Sequence, residues 1–222
     1  MKESHATLCA IAAALRLRLL LLAIAVLAGC GNATQQAALP AGSAVLAFGD
    51  SITFGTGAAP GEDYPTRLAA LSDWQITNAG IPGETSAEAR DRIGAVMAAT
   101  RPALVIVELG GNDFLRRRPE AAVKEDLRAI VTAVRSAGAQ VVLVAIPRFS
   151  LLGAVSRRLP DSPIYAELAG EEKLLLVDGV LAEILSDPNL KADPIHPNAD
   201  GYRQLAAGIA AQLRAAAALD KR

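Results

Sequence analysis

The chain has 222 residues, of which 52% are hydrophobic and only 4% aromatic. Its 22 Lys+Arg against 23 Asp+Glu leave a formal charge of −1, so no basic excess points to nucleic acid as a partner. That length suits one domain plus an appendage, with a core large enough to do without disulfide staples.

The first thirty residues differ from the rest. Lys2, Arg16 and Arg18 precede an apolar run from Leu19 to Ala28 that ends in Gly29-Cys30. The run falls short of the ~20 residues a spanning helix needs and reads as the hydrophobic stretch of a secretory signal. Leu27-Ala28-Gly29-Cys30 resembles the bacterial lipobox, which implies cleavage after Gly29 and lipid attachment at Cys30. The expected organisation is a signal peptide over 1–29, a tether over 30–42 and one domain over 43–222. The same resemblance implies export and a lipid anchor at the periplasmic face of the cell envelope, with Asn32 favouring the outer membrane. The rest of the chain is slightly acidic, so attachment rests on the lipid. Cys9 and Cys30 both fall outside the folded part, which leaves it neither a disulfide framework nor a thiol nucleophile.

After the tether, strand-like and helix-like segments alternate. Ala44 to Phe48 is a short apolar strand; Tyr64 to Leu71 reads helical and Gln75 to Asn78 as a brief strand. Ser86 to Ala98 is helical, with Glu88 and Arg92 at the i,i+4 spacing of an ion pair. The β-branched run inside Ala103 to Glu108 marks a buried strand. Glu120 to Ala137 is the clearest helix, opened by Pro119 and closed by Gly138. Val141 to Ile146 and Leu174 to Val177 complete five strands, and a last helix from about Ala199 to Ala218 starts after Pro197-Asn198. Five strands separated by helices predict an α/β fold, three layers α/β/α around a five-stranded parallel sheet. Ligands of such sheets bind beyond the carboxyl ends of the strands, which singles out 49–55, 79–85, 109–116, 147–163 and 193–197.

His196 is the only histidine outside the N-terminal segment, in Asp193-Pro194-Ile195-His196-Pro197. Three residues of separation let the Asp193 carboxylate fold back on the ring's Nδ1, leaving Nε2 to accept a proton. With no second His or Cys in the folded part, a metal site is not expected, and no cofactor is. Ser51 sits in Gly49-Asp50-Ser51, where the first strand ends and a helix should begin, so its own N–H lies at a helix N-terminus that favours an anion. No Gly-x-Ser-x-Gly occurs, so the α/β-hydrolase nucleophile elbow is unavailable. Gly110-Gly111-Asn112-Asp113 follows the third strand and offers an amide NH₂ to the crevice. Gly80 follows the second strand and offers a bare N–H. Each motif alone is also an ordinary turn or cap; together they supply nucleophile, base, orienting acid and oxyanion donors for acyl transfer.

These blocks resemble the SGNH (GDSL-type) hydrolase family: Gly49-Asp50-Ser51 the first, Gly80 the second, Gly110-Gly111-Asn112-Asp113 the third and Asp193-x-x-His196-Pro197 the last. The likeness covers residues 44 to about 213. Val107 to Asp113 and His196-Pro197-Asn198 are most similar to the small thioesterase, lysophospholipase and arylesterase branch. The resemblance implies the flavodoxin-like fold and a triad of Ser51, His196 and Asp193. It also implies an oxyanion hole from the N–H groups of Ser51 and Gly80 and the Asn112 side chain. The expected substrate is a carboxylic ester or thioester of short to medium acyl length, or a lysophospholipid; a carbohydrate O-acetylesterase and a non-catalytic envelope lipoprotein are the competing readings. Asp50 and Asp113 are expected to brace loops. Phe54, Phe114 and Phe149 are candidates for an acyl pocket, and Arg116 to Arg118 with Arg157-Arg158 for an anionic headgroup or a solvated charge run.

Overall fold

The computed structural model describes residues 37–148 and 159–219. Cys30 and the expected signal, together with Phe149, Arg157 and Arg158, lie outside the described residues.

Five strands, β1 (Ala44–Gly49), β2 (Gln75–Gly80), β3 (Leu104–Glu108), β4 (Gln140–Val144) and β5 (Leu175–Val177), form one parallel sheet in the order β2-β1-β3-β4-β5. Every residue of β3 is buried, as its Leu-Val-Ile-Val core demands of a strand covered on both faces. β2 lies on an edge and is half exposed, matching its polar sequence Gln-Ile-Thr-Asn-Ala-Gly. This order is that of a flavodoxin-like sheet, whose ligand crevice opens between β1 and β3, where the winding direction reverses.

Helices cover both faces. On one face α2 (Tyr64–Ser72) packs on α8 (Ala199–Ala215), which also meets α7 (Val180–Ser186). On the other, α3 (Ser86–Thr100) packs on α5 (Glu120–Ser136), which meets α6 (Pro163–Glu172). Short helices α1 (Ser51–Phe54) and α4 (Gly111–Leu115) follow β1 and β3 directly. The inner stripe of α5, Val123, Leu127, Ile130, Val131 and Val134, is fully buried; each such side chain contributes about 1.5–3 kcal/mol relative to exposure.

Some expectations shift. Glu88 does not pair with Arg92; it closes a capping box with Thr85 at the start of α3, while Arg92 reaches back to buried Glu84 at 2.5 Å. Satisfying a helix's orphan N–H groups keeps Glu88 at the N-terminus. The segment 193–197 does not follow β5 directly, because α7 and a 3₁₀ turn over Pro188–Leu190 intervene. From Ala37 the expected tether already lies on the domain: the Leu39 N–H donates to the Ala218 carbonyl, and Gln140 Nε2 donates to Ala37 O.

Candidate active site

Strand register brings the motifs together. Gly49 stands opposite Gly80 on one side and Glu108 on the other, so the three chains leave the sheet side by side. Two residues after Gly49 comes Ser51, the first residue of α1, whose N–H has no intrahelical partner. Gly80 packs so tightly under α1 that a Cβ there would sit 2.2 Å from the Phe54 backbone nitrogen; any other residue would push the serine turn away. Gly110 carries φ +123°, and a Cβ would meet the Tyr165 hydroxyl at 2.3 Å. That hydroxyl donates to the Leu109 carbonyl at 2.7 Å, pinning the turn that presents Asn112.

The histidine arrives from the far end of the chain. Its loop is tied by an antiparallel bridge between Lys191 and Pro197 and by the Ala192 N–H donating to His196 O. Asn198 caps α8 through the Gly201 N–H, and Tyr202 on that helix donates to the Thr56 carbonyl at 2.7 Å, joining the loop after Ser51 to the last helix. The outcome is a continuous row. His196 Nε2 lies 2.9 Å from Ser51 Oγ, and Nδ1 lies 2.7 Å from Asp193 Oδ2. A ring with its proton on Nδ1 donates to Asp193 and leaves Nε2 to accept from the serine hydroxyl. Asp193 Oδ1 also accepts the Ile195 and His196 N–H groups, each at 2.9 Å. Partial burial works to raise the Asp193 carboxyl, but the bonds from the ring and the two backbone N–H groups outweigh it and hold the group below the usual range.

Of the expected oxyanion donors, Asn112 lines the cleft with Ser51 and Gly80 does not, and Asn112 and Gly80 have hydrogen bonds already in use. Asn112 Nδ2 donates to Asp50 Oδ2 and to the Glu84 carbonyl, both at 3.0 Å. The Gly80 N–H donates to Asn78 Oδ1 at 3.0 Å. A shallow, open cleft in front of Ser51 is lined by Ile52, Leu115, Ile146, Leu185 and Ile195 beside Asp50, Asn112 and His196. Apolar walls with a few convergent polar groups are the usual form of a small-molecule site. Among the described residues no group of three or more His, Cys, Asp or Glu is placed to hold a metal ion.

Residues 47–204 match the model of the GDSL-like lipase/acylhydrolase family. The chain belongs to that family. Esterase TesA of Pseudomonas aeruginosa is 35% identical to it over 177 residues, covering 74% of this chain and 83% of that one. The thioesterase 1/protease 1/lysophospholipase L1 of Escherichia coli K12 is 34% identical over 182 residues, covering 78% and 85%. The crystal structure of TesA superposes with a TM-score of 0.68 at 31% identity, covering 78% of this chain and 99% of that one. The chain is thus an ester hydrolase of the GDSL type, on the three-layer fold its strand pattern indicates.

Beyond the Ser51–His196–Asp193 row, this GDSL hydrolase departs from sequence expectation in two places. Phe54 and Phe114 do not line the cleft: Phe54 is exposed, and Phe114 packs edge-on against Tyr165 with centroids 6.4 Å apart. Aliphatic residues take that place, Leu115 from α4 and Leu185 from α7 among them. The three arginines also separate into different roles. Arg118 bridges Asp113 and Asp126, both buried, while Asp113 accepts the Ser86 N–H at 2.8 Å and its hydroxyl at 2.9 Å. This network clamps the third block to α3, so Asp113 is a brace. Arg116 donates to the Gly83 carbonyl at 2.9 Å, and Arg117 is solvent-exposed with φ +57°. Of the three, Arg116 and Arg117 are exposed, and Arg116 also lies 3.9 Å from Glu88. Sequence reasoning passed over Glu108, a buried carboxyl beneath the serine turn, because it reads as the polar end of a strand; its only sequence signal is an acid continuous with four apolar strand residues.

Proposed function

We propose that this enzyme cleaves carboxylic esters and thioesters by way of an acyl-enzyme on Ser51. His196 Nε2 takes the serine proton as Oγ attacks the carbonyl carbon, and Asp193 stabilises the imidazolium that forms. The oxyanion is held by the N–H groups of Ser51 and Gly80 and the Asn112 amide, after the last two exchange their present acceptors for it. His196 then gives the proton to the leaving alcohol or thiol, and water repeats the sequence to release the acid. The row of 2.9 and 2.7 Å contacts from Ser51 through His196 to Asp193 carries this reading.

The substrates are short to medium acyl esters and lysophospholipids, in keeping with the esterase and the thioesterase/lysophospholipase it resembles and with the aliphatic cleft. Arg116 and Arg117 suit an anionic headgroup, where Arg118 is already committed to the fold. Ser51→Ala is the test: hydrolysis of an aryl acetate should fall to background while the thermal melt stays unchanged, and wild-type turnover in that variant would refute the assignment. We further propose export and lipid attachment at Cys30, supported by the Leu27 to Cys30 motif. Cys30→Ser should move the protein from the membrane fraction to the soluble one; unchanged membrane association would contradict the anchor.

A further inference from the structure

Two carboxyl groups lie buried under the serine turn, and neither has a cationic side chain as ion-pair partner among the described residues. Glu108 is 1% exposed and Asp50 2%. Glu108 stands opposite Gly49, the neighbour of Asp50, in the β1–β3 register, and the Asp50 charge works against ionisation of Glu108, so only one of the two ionises readily. Their hydrogen bonds are unequal. Glu108 Oε2 accepts both the Thr53 N–H at 3.1 Å and the Thr53 hydroxyl at 2.7 Å, and Tyr64 lies 3.2 Å behind that hydroxyl. Glu108 Oε1 is buried with no partner at hydrogen-bond geometry, the Asp50 backbone N–H giving the carboxyl only a weaker contact. Asp50 spreads its acceptors, Oδ1 to the Ile52 N–H and Oδ2 to Asn112 Nδ2, both at 3.0 Å. Loading one oxygen and leaving the other bare is how a neutral acid sits, with its proton on the bare atom. Accepting on both oxygens is how a carboxylate sits. A charge on Glu108 would leave part of its density unpaired in an apolar interior, which costs far more than one unpaired hydroxyl.

We propose that Glu108 is kept as the neutral acid and that Asp50 carries the single negative charge of the pair, making Asp50 a second, buried counter-charge for His196 and the acceptor that aims Asn112. Both are positioning residues, and their role in turnover rests on the Ser51–His196 reading above. Asp193 has a side chain 44% exposed, so water screens its charge; Asp50 is shielded from solvent and acts on the imidazolium through a low-dielectric path. The other titratable groups around Asp50 are Asp113 on α4, which is ion-paired to Arg118, and the phenols Tyr64, Tyr165 and Tyr202, which burial holds neutral. His196 is the one group of opposite charge facing it. Burial pushes Asp50 up to about 7, with the Ile52 N–H, His196 and Asn112 pulling it back; burial and the neighbouring Asp50 push Glu108 well above the usual range.

Infrared spectroscopy of the full-length protein with ¹³C-labelled glutamate carboxyls tests the assignment without a mutation. A protonated-acid carbonyl band that shifts with the glutamate label should persist at pH 8, and Glu108 is its source, since the other buried glutamate, Glu84, is ion-paired to Arg92. Absence of such a band, or a band that ignores the glutamate label, overturns the proposal. The kinetic arm follows the acid limb of kcat/KM. Asp50→Asn removes the counter-charge and should move that limb down by about one pH unit, while Glu108→Gln, which replaces a neutral group by a neutral group, should leave the limb in place whatever its turnover. A limb that moves in Glu108→Gln, or stays in Asp50→Asn, contradicts the charge assignment. The infrared outcome stands even if Ser51→Ala were found active, so failure of the hydrolase mechanism and failure of the proton assignment are distinguishable.

Discussion

Asn112→Ala removes an expected oxyanion donor and a buried hydrogen bond at once, each with its own expected size. Its Nδ2 is an expected oxyanion donor, and loss of one such donor costs roughly 10²–10³ in kcat, or about 2.7–4 kcal/mol of transition-state stabilisation. The same nitrogen also satisfies Asp50 Oδ2 and the Glu84 carbonyl at 3.0 Å each. Because the cleft is lined by Asp50 and Asn112 but not by Glu84, the proposed mechanism needs the N–H given to Asp50 to turn to the oxyanion, while the one on Glu84 O keeps the amide anchored. Truncation leaves the buried Asp50 oxygen unpaired, at a further cost of about 1–3 kcal/mol in folding stability. Steady-state hydrolysis of an aryl ester gives kcat, and a urea melt of the same preparation gives stability. Both should fall, with KM changing little. A kcat within threefold of wild type would refute the amide's part in the reaction, and an unchanged melt would refute its bond to Asp50.

Arg118→Ala should destabilise the fold by about 2–3 kcal/mol, since it strips the cation from buried Asp113 and leaves Asp126 only Arg90; Arg117→Ala should leave the melt unchanged. Leu115→Ala should raise KM for a medium-chain ester about fivefold while sparing the acetate ester, because a half-exposed cleft side chain loses about 1 kcal/mol of apolar contact with the longer chain only. Stability should decline as pH rises above about 4.5. Glu108 keeps a proton in the folded state that the unfolded chain releases from its ordinary value of 4.5 upward, so the native state binds more protons over that window. Urea melts at pH 5 and pH 7.5 should show the drop in the wild type and a shallower one in Glu108→Gln.

Much of this was legible in the chain. The β-branched run before Glu108 and the Val141 to Ile146 run could only be buried parallel strands, and the motifs at strand ends converge because the Gly49–Gly80–Glu108 register leaves them adjacent. α6 and α7 were not read, although Ser162-Pro163 carries a helix-start signal, because their apolar residues follow no strong helical period. Thr85-x-x-Glu88 was a readable capping box that an i,i+4 pairing with Arg92 obscured. The Phe-lined pocket failed for a different reason: which face of a short helix looks into a cleft depends on its tilt, and one residue of rotation exchanges Phe114 for Leu115. The long-range ties of Arg118 to Asp126 and of Glu108 to Thr53 have no local pattern to find.

Covalent capture of the serine decides the matter most directly. A fluorophosphonate offered to the folded protein should leave one adduct, on the peptide bearing Ser51, with no adduct in Ser51→Ala and slowed labelling in His196→Ala. Labelling of another residue, or none in the native enzyme, would show that the aligned hydroxyl, imidazole and carboxylate do not form a working nucleophile.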